Sequence, residues 1–276
     1  MGDKKFTVKF WGARGSMSSS AKQFDKYGGN TACMEVQCGD QVLIFDAGSG
    51  LRLLGNQLMK RKAQQLHLFF THCHYDHISG LPFFAPFFSP KSKVDIWSGH
   101  LLGESKTLRM VQEYMRPPFF PVGPEVFSAK IKYRDFSVPD QLKPIRGIKI
   151  DTISLNHHDG CVGYRINFDG RSLCLISDTT HVPGVVDHQL IDFVSGTDLM
   201  IYDATYTDRE FPKFWNFGHS TWEEGVRISK AGNVKRYCIF HHRPSRNDKA
   251  LDKIGERATR AFKNSYVASE GLVIKL

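Results

Sequence analysis

Four residues of types that bind metal ions are crowded into six consecutive positions: His72, His74, Asp76 and His77. The segment directly follows the apolar stretch from Leu66 to Phe70, which is typical of a buried strand. Alternate residues of an extended chain project to the same side, so His72 and His74 are expected to share one face. The turn that follows lets Asp76 and His77 face a neighbouring point. Imidazole and carboxylate groups suit zinc and similar ions, so this segment predicts ligands for two adjacent metals.

Three further candidate ligands each come directly after an apolar stretch later in the chain: His157, Asp178 and His241. Residues that follow buried strands can meet at one edge of a sheet, where loops build sites on a rigid scaffold. A carboxylate such as Asp178 can bridge two ions. Each residue alone is more often a capping or hydrogen-bonded surface group, but together with the histidine-rich segment they predict a closed site.

Alternating and apolar stretches separated by turn residues predict the elements that position these ligands. The predicted strands are Lys5 to Phe10, Met34 to Cys38, Gln41 to Phe45, Leu66 to Phe70, Val94 to Trp97, Lys130 to Phe136, Ile148 to Leu155, Gly163 to Phe168, Ser172 to Ile176, Leu199 to Tyr202, Tyr237 to Phe240 and Gly271 to Lys275. Gly39-Asp40 and Asp169-Gly170 are expected to turn two hairpins.

Stretches with the spacing of one helix face complete the pattern. The predicted helices are Leu51 to Lys62, Glu104 to Met115, Asp187 to Val194, Trp222 to Ala231 and Asn247 to Phe262. Two strand-rich halves, each followed by helices, imply two sheets packed together with helices on their outer faces, an α+β architecture. Neither a linker nor a low-complexity tract divides the sequence, so we expect a single domain over residues 1–276.

Composition limits the class of protein. The chain has 276 residues and a formal net charge of +9, which agrees with an anionic substrate or partner and equally well with a solvated basic face. No stretch approaches the roughly 20 apolar residues that cross a bilayer, and Met1 to Lys5 leads into a polar and apolar alternation, unlike a secretory segment. The six cysteines form no CxxC pair. We therefore expect a cytoplasmic protein with reduced thiols.

Several motifs together resemble one known family. Thr71 to His77 is similar to the His-x-His-x-Asp-His signature of the metallo-β-lactamase superfamily. Phe10 to Ser16, Tyr27 to Thr31 and Gly218 to Thr221 resemble its phosphodiesterase branch, which includes ribonuclease Z, cyclic phosphate esterases of phosphonate metabolism and cyclic-nucleotide phosphodiesterases. The resemblance spans nearly the whole chain and is weakest from Leu101 to Arg146. It implies a four-layer αββα sandwich.

The resemblance also implies a role for each candidate ligand. One divalent ion is expected on His72, His74 and His157, and a second on Asp76, His77 and His241, as set out by the family's ligand pattern. Asp178 matches the bridging aspartate. His158 and His242 are then bystanders that bind no metal. From the residues alone, either His157 or His158 could be the ligand, and likewise either His241 or His242. Zinc is the expected metal, with manganese and magnesium as alternatives.

Four acidic or imidazole groups are candidates for catalysis or for the support of catalytic and ligand residues. Asp76 is expected to orient the attacking water as well as bind metal, and His219 is the candidate general acid for the leaving alkoxide. Asp203 is expected to fix the tautomer of His219. Asp46 is interpreted as an anchor that accepts the second ring N–H of a ligand histidine. A helix-start residue bonded to water remains the alternative for His219.

The size of the substrate is predicted from a missing segment. Transfer-RNA-processing relatives carry a long basic, glycine-rich arm, and no such insertion lies between Gly170 and Asp203 or between Leu101 and Arg146. As a candidate substrate, a small phosphodiester therefore ranks above RNA, and among small phosphodiesters a 3′,5′-cyclic nucleotide ranks first. Three lower-ranked functions stay open: an RNA endonuclease like ribonuclease Z, a hydrolase of thioesters or lactams, and a non-catalytic ligand sensor.

Two aromatic clusters, Leu81 to Phe88 and Pro117 to Pro121, could stack bases or pack in a core or dimer. Packing is the favoured interpretation. The second cluster lies in a segment that could reach a neighbouring subunit, and the resemblance implies a homodimer.

Overall fold

Two seven-stranded sheets and the helices around them make up the computed structural model, which describes residues 4–101 and 106–276. The strands are β1 (Phe6–Gly12), β2 (Cys33–Cys38), β3 (Gln41–Phe45), β4 (Gln65–Phe69), β5 (Lys93–Ser98), β6 (Lys130–Asp135), β7 (Gln141–Leu142), β8 (Ile148–Leu155), β9 (Cys161–Phe168), β10 (Arg171–Ile176), β11 (Leu199–Asp203), β12 (Tyr237–Phe240), β13 (Ser265–Val267) and β14 (Val273–Lys275). The α-helices are α1 (Leu51–Lys60), α2 (Tyr75–Ile78), α3 (Thr107–Tyr114), α4 (His188–Val194), α5 (Phe211–Phe214), α6 (Trp222–Ala231) and α7 (Asp248–Ala261).

Both sheets combine antiparallel and parallel strands. The first has the order β14-β1-β2-β3-β4-β5-β6, and its strands from β3 to β6 run parallel. The second has the order β13-β12-β11-β10-β9-β8-β7, and its strands from β10 to β13 run parallel. Parallel strands end at the same edge of a sheet, so the loops after β4, β10, β11 and β12 can meet.

The core lies between the two sheets. Phe10 and Phe69 of the first sheet are fully buried with Leu175 and Phe240 of the second in one continuous cluster. The β1 sequence alternates buried and half-buried residues, as expected for a strand with one face on this core.

Helices cover the outer faces. Leu54 and Leu58 of α1 pack on the first sheet, and residues of α4, α6 and α7 pack on the second. The predicted αββα layering is confirmed.

The predicted elements agree with the structure apart from details. The hairpin turns are confirmed, with Gly39 at φ +59° and Asp169 and Gly170 at φ +52° and +75°. The helix predicted from Glu104 to Met115 corresponds to α3, but its predicted first residue lies outside the described residues. Met1 to Asp3 also lie outside them. The short strands β7 and β13 and the short helices α2 and α5 were not predicted. Within the part of the chain that is described, no helix has the length and apolar character to cross a membrane.

Candidate metal centre

The histidine-rich segment leaves the end of β4 and turns immediately into α2. His74 is extended, with φ −63° and ψ +153°, and stands at the start of the helix, whose first turn carries Asp76. The sequence predicted an extended stretch followed by a turn, and the helical turn is what brings Asp76 and His77 to a second point. The backbone N–H of His77 donates to the carbonyl of His74 at 2.9 Å.

Three histidine nitrogens meet at the first point. His74 Nδ1 lies 3.0 Å from His72 Nε2 and 3.1 Å from His157 Nε2. The three histidines are called cluster one below. The Oδ2 atom of Asp178 faces cluster one and lies 3.6 Å from His72 Nε2 and 3.7 Å from His157 Nε2.

Four donor atoms meet at the second point. His77 Nε2 lies 3.4 Å from His241 Nε2, and Asp76 Oδ2 lies 3.3 Å and 3.1 Å from these two nitrogens. The other carboxylate oxygen of Asp178, Oδ1, lies 3.3 Å from each nitrogen. This group is called cluster two below. Asp178 therefore directs one oxygen to each cluster.

The spacing of the donor atoms fits metal ions. Ligand atoms about 2.0–2.1 Å from a shared tetrahedral ion are about 3.3 Å apart, which is close to the distances in both clusters. Within each group the donor atoms lie within 4.8 Å of one another. All members of cluster two are buried, and buried carboxylates and imidazoles at this density are costly unless a charge pairs them. The residues present therefore fit two cations.

Outer hydrogen bonds hold four of the five cluster histidines in one tautomer. Asp46 Oδ2 lies 2.9 Å from His77 Nδ1, and its Oδ1 accepts from the N–H and hydroxyl of Thr71 at 2.8 Å and 3.0 Å. Because the Thr71 hydroxyl donates to Asp46, its oxygen can accept from His72 Nδ1 at 3.1 Å. Placing the proton on Nδ1 leaves the Nε2 lone pair of both histidines free for an ion.

His157 and His241 are held in the same way. His157 Nδ1 donates to the carbonyl of Gly218 at 2.7 Å. His241 Nδ1 lies 2.9 Å from the hydroxyl of Thr205, which donates to Asp203 at 2.8 Å. Asp46 was predicted in this anchoring position, whereas the contribution of Thr205 was missed. Its only signal in the sequence is a hydroxyl residue two positions after Asp203.

The bystander histidines point elsewhere. His158 is exposed, and its Nε2 donates to the carbonyl of Asn216 at 2.9 Å. His242 is buried and donates from Nε2 to the carbonyl of Ala268 at 2.7 Å. Burial lowers the pKa of His242 to about 3, despite this bond. The structure thus brings His157 and His241 into the clusters and leaves their neighbours outside.

His219 lies beside both clusters. Its ring centre is 5.4 Å from that of His157 and 4.8 Å from that of His241. His219 Nδ1 lies 3.0 Å from Asp203 Oδ2, which also accepts from the backbone N–H of Thr179 at 3.2 Å. Burial disfavours protonation of His219, but the charge and hydrogen bond of Asp203 outweigh it and raise the pKa to about 9.

The loop after β1 braces cluster two, a contribution that the sequence did not reveal. The backbone N–H of Ser16 donates to Asp76 Oδ2 at 2.6 Å. The preceding residue, Gly15, lies so close to His241 that an added Cβ would be 2.2 Å from the imidazole ring. Gly15 also donates its N–H to the carbonyl of His242 at 3.0 Å, which ties the loop to the end of β12.

We expect Gly15→Ala to weaken metal binding at cluster two. The new methyl group would overlap the His241 ring, which is fixed on its other side by Thr205, so the ring must move away from Asp76. The affinity for zinc should fall by about 10- to 100-fold or more, because a loss of this size is typical when contacts that orient a metal ligand are disturbed. Competition with a zinc chelator measures this affinity. Gly255→Ala, in α7, is the control, because its backbone is helical and an added Cβ there would meet only the end of the Val267 side chain, at 3.0 Å. Equal zinc affinity in wild type and Gly15→Ala would contradict the expectation.

Comparison with known proteins gives the family. Residues 42–242 match the model of the β-lactamase superfamily domain, which covers most of the chain. Ribonuclease Z of Halalkalibacterium halodurans is 24% identical over 289 aligned positions, covering 84% of this chain and 87% of that enzyme. The chain belongs to the β-lactamase superfamily. The predicted superfamily and its ribonuclease Z-like branch are confirmed.

Solved structures share the fold. The metallo-β-lactamase fold protein YhfI from Bacillus subtilis has a TM-score of 0.75 at 18% identity, covering 99% of this chain and all of that one. A diphosphatase from the PhnP family has a TM-score of 0.70 at 17% identity, covering 99% of this chain and 98% of that one. At these identities the likeness concerns the fold alone.

Proposed function

We propose that the protein is a phosphodiesterase that depends on two divalent metal ions. His72, His74 and His157 would hold one ion, and Asp76, His77 and His241 the other. The observation that carries the proposal is the placement of Asp178, whose two carboxylate oxygens face separate groups of histidine nitrogens. A hydrolase acting on phosphoester bonds agrees with the superfamily and with the names of the curated relatives.

Two ions bound there would supply Lewis-acid activation of a water molecule and neutralisation of charge on the phosphoryl oxygens. His219 holds a proton on Nε2, the ring nitrogen that is not engaged by Asp203, and donates it to the leaving oxygen. Asp203 keeps the ring oriented. Asp76, fixed by the N–H of Ser16, helps to position the attacking water. We propose zinc as the native metal, with manganese and magnesium as alternatives.

The substrate that we propose is a small phosphodiester, most of all a 3′,5′-cyclic nucleotide. The hairpin between β9 and β10 is closed by Asp169 and Gly170 alone, and only a loop and α4 separate β10 from β11. Neither connection leaves room for a long RNA-gripping arm. The alignment of 84% of this chain with the H. halodurans enzyme extends over 289 positions, so that relative contains segments that this chain lacks.

Processing of RNA is the second candidate. It is favoured by the name of the curated relatives, ribonuclease Z, and by the net charge of +9. A thioester or lactam hydrolase and a ligand sensor are less favoured, because the hydrogen-bonded pair of buried Asp203 and half-buried His219 beside the ligands suits proton donation to an alkoxide. The homodimer, the cytoplasmic location and a single domain over residues 1–276 stay predictions.

A substrate panel separates these candidates. Zinc- or manganese-loaded protein is incubated with purine and pyrimidine 3′,5′-cyclic nucleotides, linear dinucleotides, a transfer-RNA precursor and a thioester. We expect hydrolysis of cyclic nucleotides with the highest kcat/KM. Cleavage of the transfer-RNA precursor with the cyclic nucleotides left intact would replace the first candidate with the second. Thioester hydrolysis alone would overturn the proposed phosphodiesterase.

A further inference from the structure

Three aromatic side chains, Tyr206, Phe214 and Phe217, form a connected surface beside His219, and Trp215 follows Phe214 in the chain. These four residues are called here the aromatic ridge. Tyr206 and Phe214 stack with ring centres 5.0 Å apart and planes only 9° from parallel. Phe217 contacts Phe214 in a T-shaped arrangement at 5.7 Å. The Tyr206 ring also lies 6.2 Å from the ring of His219. The ridge therefore runs from the candidate general acid to the protein surface.

The outer end of the ridge is exposed to an unusual degree for large apolar residues. Trp215 is 62% exposed and Phe217 is 57% exposed. An aromatic residue with this exposure gains little from folding, and adjacent exposed apolar groups are a common mark of a binding surface. Packing in the core explains Tyr206, which is 6% exposed, but it does not explain these two rings.

The ridge is fixed to the loop that carries His157. The carbonyls of Trp215 and Gly218 accept hydrogen bonds from Thr180 Oγ1 at 3.3 Å and from His157 Nδ1 at 2.7 Å. The carbonyl of Asn216, between them, accepts from His158 Nε2 at 2.9 Å. Three carbonyls of this short segment are thus tied to the surroundings of the site, so its position relative to cluster one is set by the fold.

Phe217 keeps an accessible ring face. Phe214 is already contacted by Tyr206 and by the guanidinium of Arg243, whose central carbon lies 4.6 Å from the ring centre. Phe217 has only the T-shaped contact with Phe214 among the ring contacts of the described residues, and this arrangement occupies at most one ring face. A flat ligand can therefore stack on Phe217.

We propose that Phe217, supported by the rest of the ridge, is the platform on which the nucleobase of the substrate stacks. This inference rests on the proposed phosphodiesterase function and specifies a nucleotide as its substrate. Phe217 precedes His219 by two residues, so their Cα atoms are at most about 7.6 Å apart. A nucleotide joins base and phosphate through one sugar, which suits a base on Phe217 and a phosphate at the clusters. Every base has a π face, so the platform tolerates different bases.

The test compares ligands with and without a base. Binding of 5′-AMP and of ribose 5-phosphate to the zinc-loaded full-length protein is measured by titration calorimetry for wild type, Phe217→Ala and Phe217→Tyr. We expect Phe217→Ala to weaken 5′-AMP binding by about tenfold to a hundredfold and to leave ribose 5-phosphate unchanged. Phe217→Tyr keeps the ring and should retain affinity. Phe88→Ala removes another ring that is 46% exposed and should change neither ligand.

Kinetics give a second measurement. Phe217→Ala should raise KM for a cyclic nucleotide and leave kcat/KM for a base-free cyclic ribose phosphate unchanged. An equal loss of affinity for 5′-AMP and ribose 5-phosphate in Phe217→Ala, or no loss of affinity for either, would contradict base stacking on Phe217. A change in sedimenting mass of Phe217→Ala would also overturn it, because the ridge would then be an interface between copies. If wild type hydrolyses no phosphodiester, the proposed function fails, while the difference between 5′-AMP and ribose 5-phosphate still tests the platform.

Discussion

Asp178→Asn is expected to reduce turnover of bis-p-nitrophenyl phosphate by on the order of 10³-fold or more and to lower bound zinc below two ions per chain. The amide has the shape of the carboxylate, but it replaces one acceptor oxygen by an N–H donor and removes a negative charge. Both clusters receive an oxygen of Asp178, at 3.6 Å from His72 Nε2 and 3.3 Å from His77 Nε2. No other acidic residue among the described positions is shared between clusters one and two in this way.

Asp169→Asn is a suitable control for this experiment. Asp169 lies in the turn between β9 and β10 and is accessible to solvent, so the same chemical change there should leave turnover and zinc content unaltered. Zinc is counted by mass spectrometry of dialysed protein, and circular dichroism establishes that the variant is folded. Two bound ions and wild-type turnover in Asp178→Asn would show that this carboxylate bridges nothing.

His219→Ala is expected to reduce turnover of a cyclic nucleotide by about 10²- to 10⁴-fold with zinc content unchanged. The residue belongs to neither cluster one nor cluster two, and its Nδ1 is engaged by Asp203. Removing it therefore deletes a proton donor without deleting a proposed ligand. Steady-state kinetics and metal analysis on the same preparation measure both quantities.

The leaving group sharpens this prediction. A p-nitrophenolate leaves without a proton far more readily than a ribose alkoxide does, so the loss in His219→Ala should be much smaller with bis-p-nitrophenyl phosphate. His188→Ala, at an exposed histidine that begins α4, serves as the matched control. An equal loss with both substrates would contradict proton donation, and zinc loss would assign His219 a role in metal binding.

The sequence was most informative where ligands follow strands. His157 comes after β8, Asp178 after β10 and His241 after β12, and these strand ends do meet at one edge of the sandwich. The strands could be predicted because burial on both faces leaves a continuous run of apolar residues. In β11 this run is Leu199 to Tyr202, all of which are buried.

Contacts between distant loops left no such signal. Ser16 bonds to Asp76 across 60 positions, and Gly15 is needed by the close approach of His241, yet neither relation has a characteristic spacing. His241 itself has φ +59°, a left-handed conformation rare for a histidine, and its Nδ1 donates to the hydroxyl of Thr205 at 2.9 Å. Edge strands such as β13, with three residues, were too short to show a period.

The two-ion site is tested most directly by adding zinc stepwise to the metal-free full-length protein and measuring hydrolysis of bis-p-nitrophenyl phosphate at each step. The shared position of Asp178 predicts that binding saturates at two ions per chain and that turnover rises with the second ion. Full turnover with one ion, or turnover that survives complete removal of metal, would contradict a dinuclear phosphodiesterase.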